Sequence, residues 1–201
     1  MKKTICIILI VAFAALFSTS AYFIFDHYRQ EEQQAELYDS LADIVDSAAE
    51  TEEEPAEPTL YTEEKTVLPE LAELYQQNSD LAGWIRIEDT NINYPVMHTP
   101  DNPDFYLKHG FDKKYSDYGC PYVQENCDVQ LPSDNVIIYG HHMKNGSMFC
   151  DLEKFKSQDF WQEHKTISFS TVTDRYEYEI ISVFKTFVYS DSLIPSSIIT
   201  L

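Results

Sequence analysis

Glycine is scarce in this sequence, which has only 5 Gly among 201 residues. A phosphate-binding loop needs closely spaced glycines, and no such loop occurs here, so the composition argues against a nucleotide-binding fold. Positive charge is also in short supply: 14 Lys and Arg stand against 34 Asp and Glu, for a net charge of −20. Binding to a phosphate backbone needs a basic face, and we therefore expect no nucleic acid partner.

Aromatic residues are plentiful by contrast. The chain has 14 Tyr and 12 Phe, and 44% of its residues are hydrophobic. Aromatic side chains suit pleated, half-buried surfaces, so the composition predicts a β-rich core. The length allows one domain of moderate size with appendages.

The longest apolar run lies near the N-terminus, at residues 5–25, and follows Lys2 and Lys3. A membrane-spanning helix needs about 20 mainly apolar residues, and the positive flank predicts that the N-terminus lies inside the cell. The small residues 18–21 leave a cleaved signal peptide as the alternative. We favour an uncleaved single-pass anchor in the cell membrane, with the remaining chain extracellular, because residues 22–25 continue the apolar run.

The four cysteines lie at positions 6, 120, 127 and 150. Outside the cell disulfides are allowed. Cys120 and Cys127 could close a small loop, which would leave Cys150 unpaired. Spacing alone leaves this bond open, because the separation of the two Cα atoms is not visible in a sequence.

Two helices are predicted before the β-rich part of the chain. Residues 30–49 have apolar positions at helical spacing, either as a solvated stalk or as a helix docked on the domain. An acidic linker with Pro55 and Pro58 follows and is expected to be extended. A second helix should begin near Leu68, because Pro69 suits a first helical turn.

From Trp84 onward the pattern changes to a period of two, most clearly at residues 84–88, 167–173 and 176–188, and residues 136–139 form a short apolar run. The predicted strands cover residues 84–88, 92–97, 121–123, 136–139, 167–173 and 176–188, with turns at 89–91 and 174–175. Pro95 within the second of these strands indicates an edge or a bulge. Residues 149–164 are expected to be helical. Many short strands with few helices indicate a β-barrel or a sandwich.

The strand at residues 136–139 ends at Gly140 and presents His141. Histidine titrates near neutral pH, so at this position it is a candidate for proton transfer. His142, Cys150 and Asp151 are further possible metal ligands near it. Their spacing matches no established zinc signature, and we expect neither a metal nor a cofactor.

Several segments form an ordered set: GWIRI at 83–87, INYPVM at 92–97, DN at 101–102 with FYL at 105–107, NVIIYGH at 135–141 and MKNGSMF at 143–149. Over roughly residues 70–190 this succession resembles the class B sortases of Gram-positive bacteria. The resemblance implies a mainly β fold, an incomplete sortase-like β-barrel with N-terminal helices. It divides the chain into a transmembrane anchor (1–27), a helix plus acidic linker (28–66) and the partial barrel domain (67–201).

The resemblance also implies an activity, that of a membrane-anchored cysteine transpeptidase. Such an enzyme cleaves an Asn-Pro-x-Thr-like sorting signal of secreted surface proteins at the threonyl bond and joins it to an amine of a peptidoglycan precursor. The catalytic histidine of the family falls on His141. Its substrate-binding positions fall on Tyr139, Asn102 and Leu107.

The family's nucleophile lies in a Thr-Leu-x-Thr-Cys strand, with an arginine on the next strand, and neither segment occurs in residues 1–201. We therefore expect a C-terminally truncated sortase that is inactive as given. Cys150 is the internal substitute to consider, and Arg175 is expected to be a solvated turn residue. The alternative function is a non-catalytic, membrane-anchored surface module that binds peptides.

Overall fold

The computed structural model describes residues 2–50, 66–129, 135–184 and 197–201. They fall into two compact units, Met1–Leu37 and Tyr38–Leu201. Most of the predicted acidic linker and residues 185–188 of the last predicted strand lie outside the described residues.

Helix α1 runs from Lys2 to Ala49 without a break, so the apolar run and the predicted helix over 30–49 form one element. Its apolar side chains between positions 5 and 25 are exposed. Among the described residues it is the one helix long and apolar enough to cross a membrane. Its length and composition are compatible with a membrane anchor.

The last part of α1 belongs to the second unit and packs there. Tyr38, Leu41 and Val45 are buried. The Tyr38 hydroxyl donates a hydrogen bond to the Gly119 carbonyl at 2.5 Å, and its ring meets that of Tyr94 edge-on at 5.3 Å. This end of the helix is therefore docked rather than a solvated stalk.

Helix α2, Pro69–Gln77, begins where the sequence predicts, with Pro in its first turn. Leu71 and Leu74 are completely buried. Glu70 is buried as well, and both of its carboxylate oxygens accept hydrogen bonds from Arg175, at 2.6 and 2.7 Å. The Arg175 side chain is about half exposed, as expected for a solvated position, and it also neutralises this buried carboxylate.

The strands are β1 Leu81–Arg86, β2 Asn93–Met97, β3 Tyr122–Val123, β4 Ile137–Gly140, β5 Thr166–Thr171, β6 Arg175–Glu179 and β7 Ser197–Thr200. They form one sheet in the order β6-β5-β1-β2-β3-β4-β7. Every neighbouring pair is antiparallel except β2 and β3. Within the described residues β6 and β7 are the two ends of the sheet. The expected mainly β, incomplete barrel with an N-terminal helix is confirmed.

Pro95 sits in β2 opposite Trp84. On its other side β2 pairs with β3 only from Met97, so at Pro95 the strand has one bonded neighbour. This position tolerates a residue without a backbone N–H, as the sequence predicted for an edge.

Several boundaries differ from the predicted ones. β1 begins at Leu81 rather than Trp84, because Leu81 pairs with Met97 beyond a register irregularity. The helical stretch over 149–164 divides into a 3₁₀ helix, Phe149–Lys156, and helix α3, Gln158–Glu163. β6 ends at Glu179, and a further short 3₁₀ helix covers Phe105–Leu107.

Candidate active site

Strand β4 places the site at its C-terminal end. Along β4 burial alternates, so Ile138 faces the core while Tyr139 is half-buried on the opposite face. β3 and β7 flank the strand, with Tyr139 opposite Tyr122 on one side and Ile198 on the other. Because β4 is paired on both sides, His141, which directly follows the strand, is held at a defined position.

The His141 ring is half-buried, and its Nε2 lies 2.8 Å from the Leu107 carbonyl oxygen. A carbonyl can only accept, so Nε2 carries the hydrogen and the neutral ring has its lone pair on Nδ1. Leu107 ends the short 3₁₀ helix Phe105–Leu107, and its side chain is buried. The group that Leu107 offers at this site is therefore its carbonyl, which orients the imidazole.

A close approach behind His141 fixes the backbone at this point. The amide of Phe149 donates to the His141 carbonyl at 2.9 Å. The Phe149 ring is completely buried and lies against Gly140, where a Cβ would come within 2.5–2.8 Å of ring carbons. Only glycine leaves room for this ring. The sequence contained a signal for this contact, because Gly140 lies in the motif segment at 135–141 and Phe149 in the segment at 143–149.

Tyr139 joins an aromatic and acidic cluster that sequence reasoning did not identify. Its ring centroid lies 5.4 Å from that of Tyr122, whose hydroxyl donates to Asp104 at 2.6 Å. Burial raises the pKa of the Tyr139 hydroxyl, which therefore stays protonated at neutral pH. Asp104 adopts φ 61°, a left-handed conformation that residues of this type tolerate better than most.

Asn102 lies in the loop that leads into the same 3₁₀ helix. Its backbone N–H donates a hydrogen bond to the Thr99 carbonyl at 3.0 Å, and its backbone carbonyl accepts one from the Thr99 hydroxyl at 3.1 Å. The side chain is exposed. The loop therefore links all the predicted site positions, since its far end reaches His141 and its middle reaches Tyr122 beside Tyr139.

All four cysteines are free, so the considered bond between Cys120 and Cys127 is not formed. Cys120 is buried, its thiol points to the Pro95 carbonyl, and burial raises its pKa to about 12. The Cys127 sulfur instead accepts a hydrogen bond from the backbone N–H of Ile137. The Cys150 sulfur lies 3.7 Å from Nε2 of His142. Cys150 thus pairs with the neighbour of the predicted catalytic histidine and not with that histidine.

Arg175 is held by Glu70, as described above, and does not take the place of an oxyanion-stabilising group beside His141. Among the described residues, no group of three or more His, Cys, Asp or Glu side chains is arranged to hold a metal ion.

A family model for the sortase domain matches residues 85–199, which is more than half of the chain. The chain belongs to the sortase family. Its relatives place it among the class B sortases.

Sortase B of Listeria monocytogenes is 37% identical over 134 residues, which are 65% of this chain and 54% of the Listeria protein. The chain therefore spans about half the length of this curated relative. The crystal structure of sortase B from Bacillus anthracis is 27% identical with a TM-score of 0.62, and the match covers 82% of this chain and 76% of that one. The Staphylococcus aureus sortase B–substrate complex shares the fold, with 24% identity, a TM-score of 0.68 and coverage of 84% and 73%.

Proposed function

We propose that the protein is a sortase B-type transpeptidase, which cleaves a C-terminal sorting signal of secreted surface proteins at a threonyl bond and joins it to a cell-wall amine. The observation that carries this proposal is the placement of His141 at the end of β4, with Nε2 bonded to the Leu107 carbonyl. Membership of a family of cysteine transpeptidases supports it.

In this reaction a cysteine thiolate attacks the threonyl carbonyl, and the amine of the next residue leaves. His141 is the proton carrier: its protonated form stabilises the thiolate and then donates a proton to the leaving amine. Nδ1 is the nitrogen that takes up and releases this proton, because Nε2 is engaged by Leu107. An arginine that stabilises the developing oxyanion would complete the site.

The nucleophile is not among the four cysteines of residues 1–201. Cys120 and Cys127 are buried, and Cys150 faces His142. We assign the thiol instead to a Thr-Leu-x-Thr-Cys segment, as the family resemblance implies. A polypeptide limited to these 201 residues is then expected to bind the signal peptide without turning it over.

For substrate binding we propose Tyr139, Asn102 and the segment around Leu107. Three observations support this: Tyr139 keeps part of its ring exposed, Asn102 is exposed, and the loop that bears it runs to His141. A Staphylococcus aureus sortase B with this fold was crystallised in complex with its substrate, which supports a substrate partner for this chain. The second substrate would be an amine of a peptidoglycan precursor.

We further propose that α1 anchors the protein in the cell membrane as a single span, with the domain of residues 67–201 outside the cell. The exposed apolar side chains of residues 5–25 and the preceding lysines support this orientation. Protease treatment of intact cells tests it. Digestion of the domain with retention of an N-terminal fragment is expected, whereas protection of the domain until the cells are lysed would contradict it.

A non-catalytic peptide-binding module is the second candidate. One observation favours it: His141 has no thiol partner in the described part of the chain. The two candidates differ in turnover but share the peptide site.

The test uses the full chain in detergent micelles with a fluorescent peptide that contains an Asn-Pro-x-Thr sequence and with triglycine as the amine. Fluorescence anisotropy should detect binding, and Tyr139→Ala should weaken it roughly tenfold, as expected for loss of an aromatic contact. Tyr176→Ala, on β6 at the other end of the strand order, is the matched control and should bind normally.

Equal affinity of the two tyrosine variants would contradict the proposed peptide site. Mass spectrometry of the products separates the two candidates in a chain extended by the gene's own downstream codons. Cysteine-dependent transfer to triglycine identifies the transpeptidase, and binding without transfer identifies the module. Turnover by the 201-residue chain that survives Cys150→Ala and is lost in His141→Ala would refute the assignment of the thiol.

A further inference from the structure

A second cluster of reactive side chains lies beside the site and is not used by it. The Cys150 sulfur is 3.7 Å from Nε2 of His142, and the same nitrogen is 3.6 Å from a carboxylate oxygen of Glu153. We call these three residues the thiol cluster. Each side chain is partly exposed. A nucleophile, a base and a carboxylate therefore meet where a solute can reach them.

The backbone holds the thiol cluster from two sides. His142 follows β4 and forms an isolated bridge with Met148, while Cys150 and Glu153 lie on the 3₁₀ helix Phe149–Lys156. The Cys150 amide donates to the Ser147 carbonyl at 3.4 Å. Met148 is almost completely buried. Backbone hydrogen bonds thus hold the turn between His142 and Cys150, and the fold brings the sulfur and the imidazole together.

The other cysteines lack this combination. Cys120 is 3% exposed, and burial raises its pKa to about 12, so its thiol is unreactive at neutral pH. Cys127 is also buried. Cys6 is exposed but belongs to the apolar part of α1. Cys150 alone among the four, all of which the structure describes, joins exposure to an imidazole contact.

The imidazole of His142 is placed to accept the proton of the Cys150 thiol as the sulfur reacts. A base beside a thiol activates it as a nucleophile, and the Glu153 carboxylate compensates the positive charge that the ring then gains. Glu153 also pairs with Lys156 at 2.8 Å, which offsets the repulsion between its negative charge and a thiolate. On the same helix Lys154 forms a salt bridge with Asp151, and these two charges cancel each other.

We propose that Cys150 is a modification site that forms mixed disulfides with low-molecular-weight thiols. The Cys150 thiolate attacks one sulfur of a small disulfide, a new S–S bond forms, and the second sulfur leaves as a thiolate that takes a proton from water. The small disulfide is the oxidant, so the exchange balances without a further reactant. The proposal is independent of the sortase reaction, because no residue of the thiol cluster takes part in that reaction.

The test measures the rate at which oxidised glutathione adds to the full chain in detergent micelles, in a Cys6→Ser background. Intact-protein and peptide mass spectrometry should show a single adduct on Cys150. His142→Gln should slow the reaction roughly threefold to tenfold. Glutamine cannot accept the proton of the attacking thiol, so the variant loses the base that the hydrogen-bond geometry places beside the sulfur.

Two controls make the result specific. His141→Gln removes the adjacent imidazole, which bonds to Leu107 and not to the sulfur, and should leave the exchange rate within about twofold of that of the parent. In urea, where the thiol cluster is lost, the Cys150 rate should fall below the native rate. An adduct mainly on another cysteine, an unchanged rate in His142→Gln, or a native rate no faster than the unfolded one would each overturn the proposal.

Discussion

Gly140→Ala is the most informative substitution, because one methyl group probes the packing that holds His141 in place. Gly140 does not have a positive φ, so alanine is conformationally acceptable there. The effect is therefore steric. The added Cβ would lie 2.5, 2.7 and 2.8 Å from three carbons of the Phe149 ring.

The ring cannot swing into solvent, since Phe149 is completely buried. Its backbone is also tied to the site by the hydrogen bond from the Phe149 amide to the His141 carbonyl. Overpacking of a closed core costs about 1–3 kcal/mol. We expect the free energy of unfolding to fall by about 2 kcal/mol, the middle of this range.

The assay is urea unfolding of the full chain in detergent, followed by the fluorescence of Trp84 and Trp161. Phe149→Leu is the matched partner, because it removes the ring that the methyl group strikes. Alone it should destabilise through lost burial by about 1–2 kcal/mol. In combination with Gly140→Ala it should cost less than the sum of the two single changes, by at least about 1 kcal/mol.

Additive costs in this double-mutant cycle would refute the proposed contact. A Gly140→Ala variant as stable as the parent would do the same. Either result would mean that β4 and the following 3₁₀ helix do not pack as described, and that His141 is positioned by other contacts.

Two further predictions concern charged pairs. Arg175→Ala leaves the buried Glu70 carboxylate unpaired and should cost about 2–3 kcal/mol, below the value for a fully buried pair because Arg175 is half exposed. The same change in a Glu70→Gln background should cost much less in urea unfolding; equal costs would contradict the pairing. The hydrogen bond from His164 to Asp89 raises the pKa of His164. Its stabilisation is therefore present below about pH 6.5 and lost as the pH rises through the raised value. His164→Gln should lie below the parent in thermal unfolding only on the acidic side; a constant difference across pH would contradict this reasoning.

Local signals in the sequence identified the elements that depend on neighbouring residues. Pro69 marks the start of α2, and the short apolar run at residues 136–139 identifies β4. These predictions succeed because helix-start signals and short apolar runs are properties of a few consecutive positions. The mainly β class follows from the same short-range patterns.

Long-range pairings were beyond this reasoning. Arg175 and Glu70 are 105 positions apart, so the sequence at the turn gives no sign of the buried carboxylate that the arginine neutralises. β7 forms by pairing with β4 across the fold, and its four residues alone do not reveal this partner. The Leu107 carbonyl is invisible for a further reason: it is a backbone group, and its role depends on where the loop places it beside His141.

The orientation of His141 is the central claim, and nitrogen NMR of the full chain with isotopically labelled histidine tests it most directly. His141→Gln assigns the signal. We predict that the neutral ring carries its proton on Nε2, and that an Asn-Pro-x-Thr peptide shifts this signal while that of His164 stays in place. The account would be contradicted by a neutral ring that carries its proton on Nδ1, or by a His141 nitrogen signal whose chemical shift stays unchanged when the peptide is added.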